Sequence, residues 1–203
     1  MVDNTKIGWN SIEEKFEKLY PNQEPLHYGT LVSYKFGGND PLDGISIYDA
    51  GNYYHFVTFG FSEIYEKENE NNEISGFGFE LTFKLKKNPN INESELKNFA
   101  GILQTLARYV FDSKKAFKPY EYIATGQTDG IDTKQSSEIV GFVTIEDSQL
   151  KTITTRNGKI QFVELIGATY EELKSIMNKE KTTEDVIKNI LDKYSDVTDY
   201  ERI

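Results

Sequence analysis

The sequence predicts a mixed α+β fold, a mostly antiparallel β-sheet packed with helices, on three observations. Residues 75–87, SGFGFELTFKLKK, alternate apolar and non-apolar positions, the period of an extended strand. Residues 151–165, KTITTRNGKIQFVEL, hold Asn157-Gly158 between two β-forming runs, a hairpin signature. Leu96, Phe99, Ile102, Leu103, Leu106, Val110 and Phe111 recur at steps of three and four, so about 93–112 forms a long amphipathic helix. With no internal repeat and no long linker, one domain over 1–203 is expected.

In chain order, Ser11-Ile-Glu-Glu14 reads as a capping box, and Ile12, Phe16, Leu19 and Tyr20 make 11–20 a helix stopped by Pro21. Strands are expected at 27–36 and 53–61, where β-branched and aromatic residues dominate, with a short third strand at 45–48. The turn formers of GGNDPLDG, 37–44, make a loop. Residues 62–75 carry five glutamates against one lysine and read as a solvated excursion. In the following strand Phe77, Phe79, Leu81, Phe83 and Leu85 face the core, leaving glycines, Glu80, Thr82 and lysines on an outer face. Asn92 and Glu95 cap the long helix, with Arg108 beside its apolar stripe. Strands follow at 122–124 and 138–145, then the hairpin about Asn157-Gly158 as a type I′ turn. Thr169-Tyr-Glu-Glu172 opens a helix to about Met177, and Thr183 precedes another with Val186, Ile187, Ile190, Leu191 and Tyr194 inward.

Composition excludes several function classes. A chain of 203 residues is long enough to bury roughly 70% of its unfolded surface, and 13 Tyr with 13 Phe are too many for a disordered polymer. There is no cysteine, which removes disulfides, thiol nucleophiles and thiolate-bound zinc, and His27 and His55 cannot supply a site of several histidines. The net charge of −10 repels phosphates and no basic patch offsets it, so neither nucleic acid nor a membrane surface is an expected partner. The same field favours a cationic protein. The start, MVDNTKIGWNSIEEKFEKLY, lacks the pattern of an export signal, and no run approaches the roughly 18 apolar residues of a membrane span, so a cytoplasmic protein is expected. The oligomeric state is left open.

No constellation spells out catalysis. Gly76-Phe-Gly78-Phe-Glu80 lies within a strand rather than at a strand-to-helix turn, so it fails as a phosphate loop, and its glycines mark a bulge or a close backbone approach. Asp40 and Asp43 have oxygens for a hard cation, yet turn bonds explain the same residues. Glu63 and Glu80 have no sequence reason to meet as an acid–base pair, and His55 fits a half-buried, hydrogen-bonded strand position. No serine stands in a nucleophile elbow. The expectation is a non-enzyme with no catalytic residues, no metal and no cofactor.

A resemblance adds to this. GGNDPLDGISIY (37–48), HFVTFGFSEIY (55–65) and SGFGFELTFKLK (75–86) resemble the suppressor of fused family, and LARYVF (106–111), TIEDSQL (144–150), GKIQFVELIGATYEEL (158–173) and VTDYER (197–202) continue it in order. The resemblance implies an α+β protein-binding module without catalysis. The animal member grips a transcription-factor peptide between this domain and a second, and that clamp is not carried over. Single-domain bacterial relatives are associated with toxin systems as immunity proteins or antitoxins, which implies stoichiometric neutralisation of a cognate toxin, a cationic nuclease-type one suiting the acidic charge. The segments that carry the pattern nominate Asp40, Asp43, Glu63, Tyr65 and Glu80 as partner-facing, with the acidic loop 66–73 as a specificity element. The alternatives are a peptide- or protein-binding adaptor that uses a sheet edge or groove, and an enzyme assembled from Asp40, Asp43, His55, Glu63 or Glu80.

Overall fold

A computed structural model describes residues 6–32, 34–68, 70–71 and 73–202. The first five residues, Ser33 of the expected strand 27–36, Asn69 and Asn72 of the acidic loop 66–73, and Ile203 lie outside them. The elements run α1 (Ile7–Leu19), β1 (Leu26–Gly29), a 3-10 turn at Tyr34–Phe36, β2 (Gly44–Asp49), β3 (Tyr53–Phe59), β4 (Ile74–Lys86), α2 (Glu93–Ser113), β5 (Tyr122–Ala124), β6 (Ile139–Glu146), β7 (Ile153–Thr155), β8 (Gly158–Thr169), α3 (Tyr170–Met177) and α4 (Thr183–Tyr194).

One eight-stranded sheet in the order β1-β2-β3-β4-β8-β6-β5, with β7 added on β8, organises the chain. Every pairing is antiparallel except that of the two longest strands, β4 and β8, which lie parallel with Leu81 opposite Val163. On one face α2 lies over Phe56, Leu81, Phe83, Phe142, Val163 and Leu165. Phe99 stacks on Phe83 with ring centroids 3.7 Å apart, and each ring so buried contributes about 1.5–3 kcal/mol. On the other face, α1 closes over Val57, Phe59 and Phe162 through Ile12 and Phe16, while α3 and α4 cover Val143, Ile166 and Ala168. The mixed, mostly antiparallel α+β architecture is therefore as the two sequence periods require.

Five local expectations are corrected. Helix α1 begins at Ile7, one turn before Ser11. Its Trp9 amide donates to the carbonyl of Ile64 at 3.1 Å, so a tertiary contact satisfies a first-turn donor and the Ser11 hydroxyl instead donates back to Ile7. The strand expected at 27–36 stops at Gly29, opposite the first residue of β2, Gly44, with the Thr30 amide bonded to the Asp43 carbonyl at 3.1 Å just beyond. Leu31 and Phe36 are consequently exposed. The hairpin turn is centred on Arg156-Asn157, between the paired Thr155 and Gly158, and its left-handed residue is Gly158 with φ +112°. Asn157 is buried and donates at 2.7 Å to the carbonyls of both Glu63 and Tyr65. The last helix is capped by Thr182, one residue before Thr183, in a capping box with Asp185.

The fifth correction matters most. The even-numbered face of β4 is not an outer face, since Glu80, Thr82 and Lys84 are all buried beneath the layer containing α1.

Candidate protein-binding groove

Two backbone approaches that only glycine permits shape a groove beside the start of β4. Gly60 has φ +144°, and a Cβ there would stand 2.9 Å from Cα of Leu42; Gly76 has φ +57°, and a Cβ there would stand 2.6 Å from the carbonyl oxygen of Phe61. The chain after β3 can thus lie between the DPLD loop and the β4 bulge, whose register shifts between Ile74 and Phe79. The expected bulge and close approach are both found there. Three bonds hold the walls: Asp43 N–H donates to Phe59 O at 2.9 Å, Phe77 N–H to Phe61 O at 2.8 Å, and Glu63 N–H to the Ser75 hydroxyl at 3.0 Å. Gln104 of α2 clamps the Leu42 backbone from both sides, accepting its N–H at 3.2 Å and donating to its carbonyl at 3.0 Å.

Beneath this turn lies Glu80, 0% exposed. Its carboxylate accepts the hydroxyls of Thr58 and Ser62, each at 2.6 Å, and the amides of Gly60 at 3.1 Å and Ser62 at 2.9 Å. Burial pushes its carboxyl up to about 7, against the opposing pull of those donors. Glu80 is therefore not partner-facing, and its place in the nominated surface is withdrawn. It is the internal anchor of the 60–62 turn.

The groove has a volume of about 370 Å³, at the lower end of the range for small-ligand sites. Phe61, Phe77 and Phe111 contribute rings, and Asp43, Glu63 and Tyr65 line it as well. Three of the five nominated residues, drawn from two separate segments, thus meet in one cleft. Within it, Glu63 is internally engaged, accepting the Glu68 amide at 2.6 Å and pairing with Lys67 at 3.0 Å. Asp40 lies outside the groove, bridged to Arg108 of α2 at 2.6 Å, and so belongs to the neighbouring cleft with Leu31 and Gln104.

Sequence reasoning missed a second polar constellation, on the far face of the sheet. Lys84, 1% exposed, donates to Glu164 at 3.0 Å, Asp196 at 2.7 Å and Ser148 at 2.9 Å. His55, fully buried rather than half-buried, lies 3.2 Å from Asp147 and 2.8 Å from the hydroxyl of Tyr20. Burial lowers the His55 pKa and keeps the ring neutral. Burial would raise Asp147, but its bonds from His55 and Thr82 and the nearby Lys84 ammonium hold it down to about 2. Burial pushes Glu164 well above the usual carboxylate range. The side chains of His55, Lys84, Asp147 and Glu164 are all buried, so the cluster sits within the packed interior of the sheet's far face. Among the described residues, no three His, Asp or Glu side chains stand where they could share a metal ion.

With this geometry in hand, residues 38–203 match the family described as Suppressor of fused protein (SUFU). The chain belongs to the suppressor of fused family. The human Suppressor of fused homolog is 34% identical over 184 residues, covering 83% of this chain and 37% of that protein, and the mouse homolog matches equally. The chain thus spans 37% of the length of these curated relatives. The crystal structure of the Sufu–Fu complex superposes with a TM-score of 0.82 at 28% identity, covering 98% of this chain and 92% of that one. That of Drosophila Suppressor of Fused superposes with a TM-score of 0.86 at 26% identity, covering 98% of this chain and 51% of that one. The suppressor of fused relative in the first of these structures is in a complex with Fu. No helix among the described residues is long and apolar enough to cross a membrane.

Proposed function

We propose that this chain is a non-catalytic, cytoplasmic protein-binding domain that neutralises a cognate bacterial toxin by stoichiometric binding, as an immunity protein or antitoxin. The observation that carries the binding role is the convergence of Asp43, Glu63 and Tyr65, from two segments that bear the family pattern, on one acidic groove. Family membership supports protein binding, since a suppressor of fused relative occurs in a complex. The toxin reading rests on the resemblance of the chain to single-domain bacterial relatives and on its net charge of −10, which speeds encounter with a cationic nuclease-type surface. The loop 66–73, whose Glu66 and Glu68 line the groove, sets specificity in this reading.

Co-purification from host lysate at low and high salt tests it. A single near-equimolar basic partner, lost as salt rises and inactivated in the complex, is the expected result. A captured toxin that stays fully active under excess of this chain removes the neutralising role. A second reading, an adaptor that adds a peptide strand to a sheet edge, is favoured by β5, a three-residue edge strand that starts at the exposed Tyr122 just after the exposed Tyr120. It predicts several substoichiometric partners with a shared short motif.

A further inference from the structure

We infer that the groove beside Asp43 receives an arginine side chain of the partner, its guanidinium against the Asp43 carboxylate and its plane along the groove's phenylalanine rings. This deepens the protein-binding reading above and rests on it.

Shape and charge together select the occupant. The groove is apolar at its base, with the rings of Phe61, Phe77 and Phe111, and Phe77 meets Phe111 edge-on at 5.1 Å between centroids. Its described lining also holds the carboxylates of Asp43, Glu63, Glu66 and Glu68 and no lysine or arginine. An apolar side chain would fill the base but would take water from Asp43 and return nothing, which costs free energy. A carboxylate or phosphate would meet four like charges. A cation with an apolar stem satisfies both parts.

Asp43 is the half-buried carboxylate that remains to be matched, Glu66 and Glu68 being exposed at the rim. Glu63 is occupied by Lys67 and the Glu68 amide. The Asp43 backbone is fixed on both sides, its N–H on Phe59 and its carbonyl accepting the Thr30 amide at 3.1 Å, while its half-buried side chain has no ion pair or hydrogen bond among the described residues. The carboxylate is thus preorganised without being spent, and little ordering cost attaches to its use.

Arginine fits better than lysine. A guanidinium is planar, sheds water more readily, stacks on aromatic faces and can bond a carboxylate through two parallel N–H groups, whereas an ammonium is a compact, strongly hydrated point charge. The Phe111 ring already accepts a cation, with Lys114 Nζ 5.9 Å from its centroid.

The test uses the full chain, 15N-labelled, titrated with N-acetyl-arginine methylamide, its lysine counterpart and its uncharged citrulline counterpart. The amides of Gly60, Gly76 and Phe77 should shift with the arginine probe, with the lysine probe a few-fold weaker and citrulline weaker by about ten-fold or more. Asp43→Asn should weaken the arginine probe by about ten-fold while its remaining spectrum stays that of the folded chain. Equal shifts from arginine and citrulline, an Asp43→Asn variant that binds the arginine probe unchanged, or shifts that map away from the groove each overturn the inference. Partner capture with wild type and Asp43→Asn separates the two levels. Capture equal in both chains keeps the protein-binding reading and discards the arginine site. Saturable, Asp43-dependent probe binding with no captured protein does the reverse.

Discussion

Ser62 and Glu80 are joined twice, the hydroxyl and the amide of Ser62 donating to the same carboxylate oxygen at 2.6 and 2.9 Å. The Glu80 carboxylate thereby fixes the turn that carries the groove wall, and it does so fully buried. Its pKa, raised from 4.5 to about 7, means the folded chain holds the proton more tightly than the unfolded one. The Glu80 contribution to stability is therefore fully present below about pH 4.5 and is lost as pH rises through about 7, a span of about 3 kcal/mol. Glu80→Gln abolishes that titration. It also offers an amide donor where the wild-type partners are all donors, so at about pH 5 it should be less stable by about 1–3 kcal/mol. Urea unfolding of both chains at about pH 5 and about pH 8 checks this, and a stability difference that does not shrink toward the higher pH counts against the assignment.

Gly76 tests whether the groove needs the bulge. An alanine there combines a left-handed φ of +57° with a Cβ 2.6 Å from the Phe61 carbonyl, and the loss should be about 1–3 kcal/mol or more. Hydrogen exchange reports locality: the Phe77 amide, which donates to that carbonyl at 2.8 Å, should lose protection beyond the global change. Gly78→Ala provides the contrast. It shares the positive φ but meets no atom of another segment closer than 3.4 Å, the Ile74 side chain, so the Phe61–Phe77 bond should survive.

Signals that act within a few residues were legible in the sequence. Thr169 and Glu172 bond one another's backbone as a capping box, and Asn92 accepts two first-turn amides of α2, because both devices are complete within four residues. Ser11 looked the same but lost its role to Ile64, more than fifty residues away. The alternation of β4 told which residues share a face, but not that both faces are covered. That depends on α1 and on the Asp196–Arg202 segment, neither of which adjoins β4 in sequence. For the groove, the segments were legible, whereas the division of labour was not. Glu63, Glu80 and Asp43 are all carboxylates in turns or strands, and only the fold distinguishes the one that is braced, the one that is buried and the one that is available.

Arg202 ties the end of the described chain to the sheet. Its guanidinium bonds both oxygens of Glu172 at 2.8 Å and the carbonyl of Gly167 at 2.7 Å, and the residue is buried. Arg202→Ala should cost about 2 kcal/mol, near the strength of a charge-assisted pair whose partner is partly solvated. For a chain of this size that lowers the melting temperature by about 4–8 °C. Arg202→Lys should recover only part of it, since an ammonium cannot span both carboxylate oxygens and the carbonyl in one plane. Scanning calorimetry of the three chains decides between this geometry and a simple charge effect, which the lysine would restore in full.

Lys84 carries the heaviest electrostatic demand in the fold. Burial alone would lower its pKa, but Glu164, Asp147 and Asp196 outweigh that and hold the ammonium charged above its ordinary range. Lys84→Met should therefore destabilise the chain by about 3–5 kcal/mol, less because a bond is lost than because carboxylates are left without their counter-ion. They are not equally stranded. Asp147 keeps Thr82 and the amides of Gln149 and Leu150, and Asp196 keeps the Ser148 hydroxyl, whereas Glu164 has one oxygen without a hydrogen-bond partner even in the wild type. Adding Glu164→Gln to Lys84→Met should consequently recover a substantial part of the loss, and adding Asp196→Asn much less. A double-mutant cycle by urea unfolding measures both couplings, and equal recovery from the two partners would mean the charge is shared across the cluster rather than answered by Glu164.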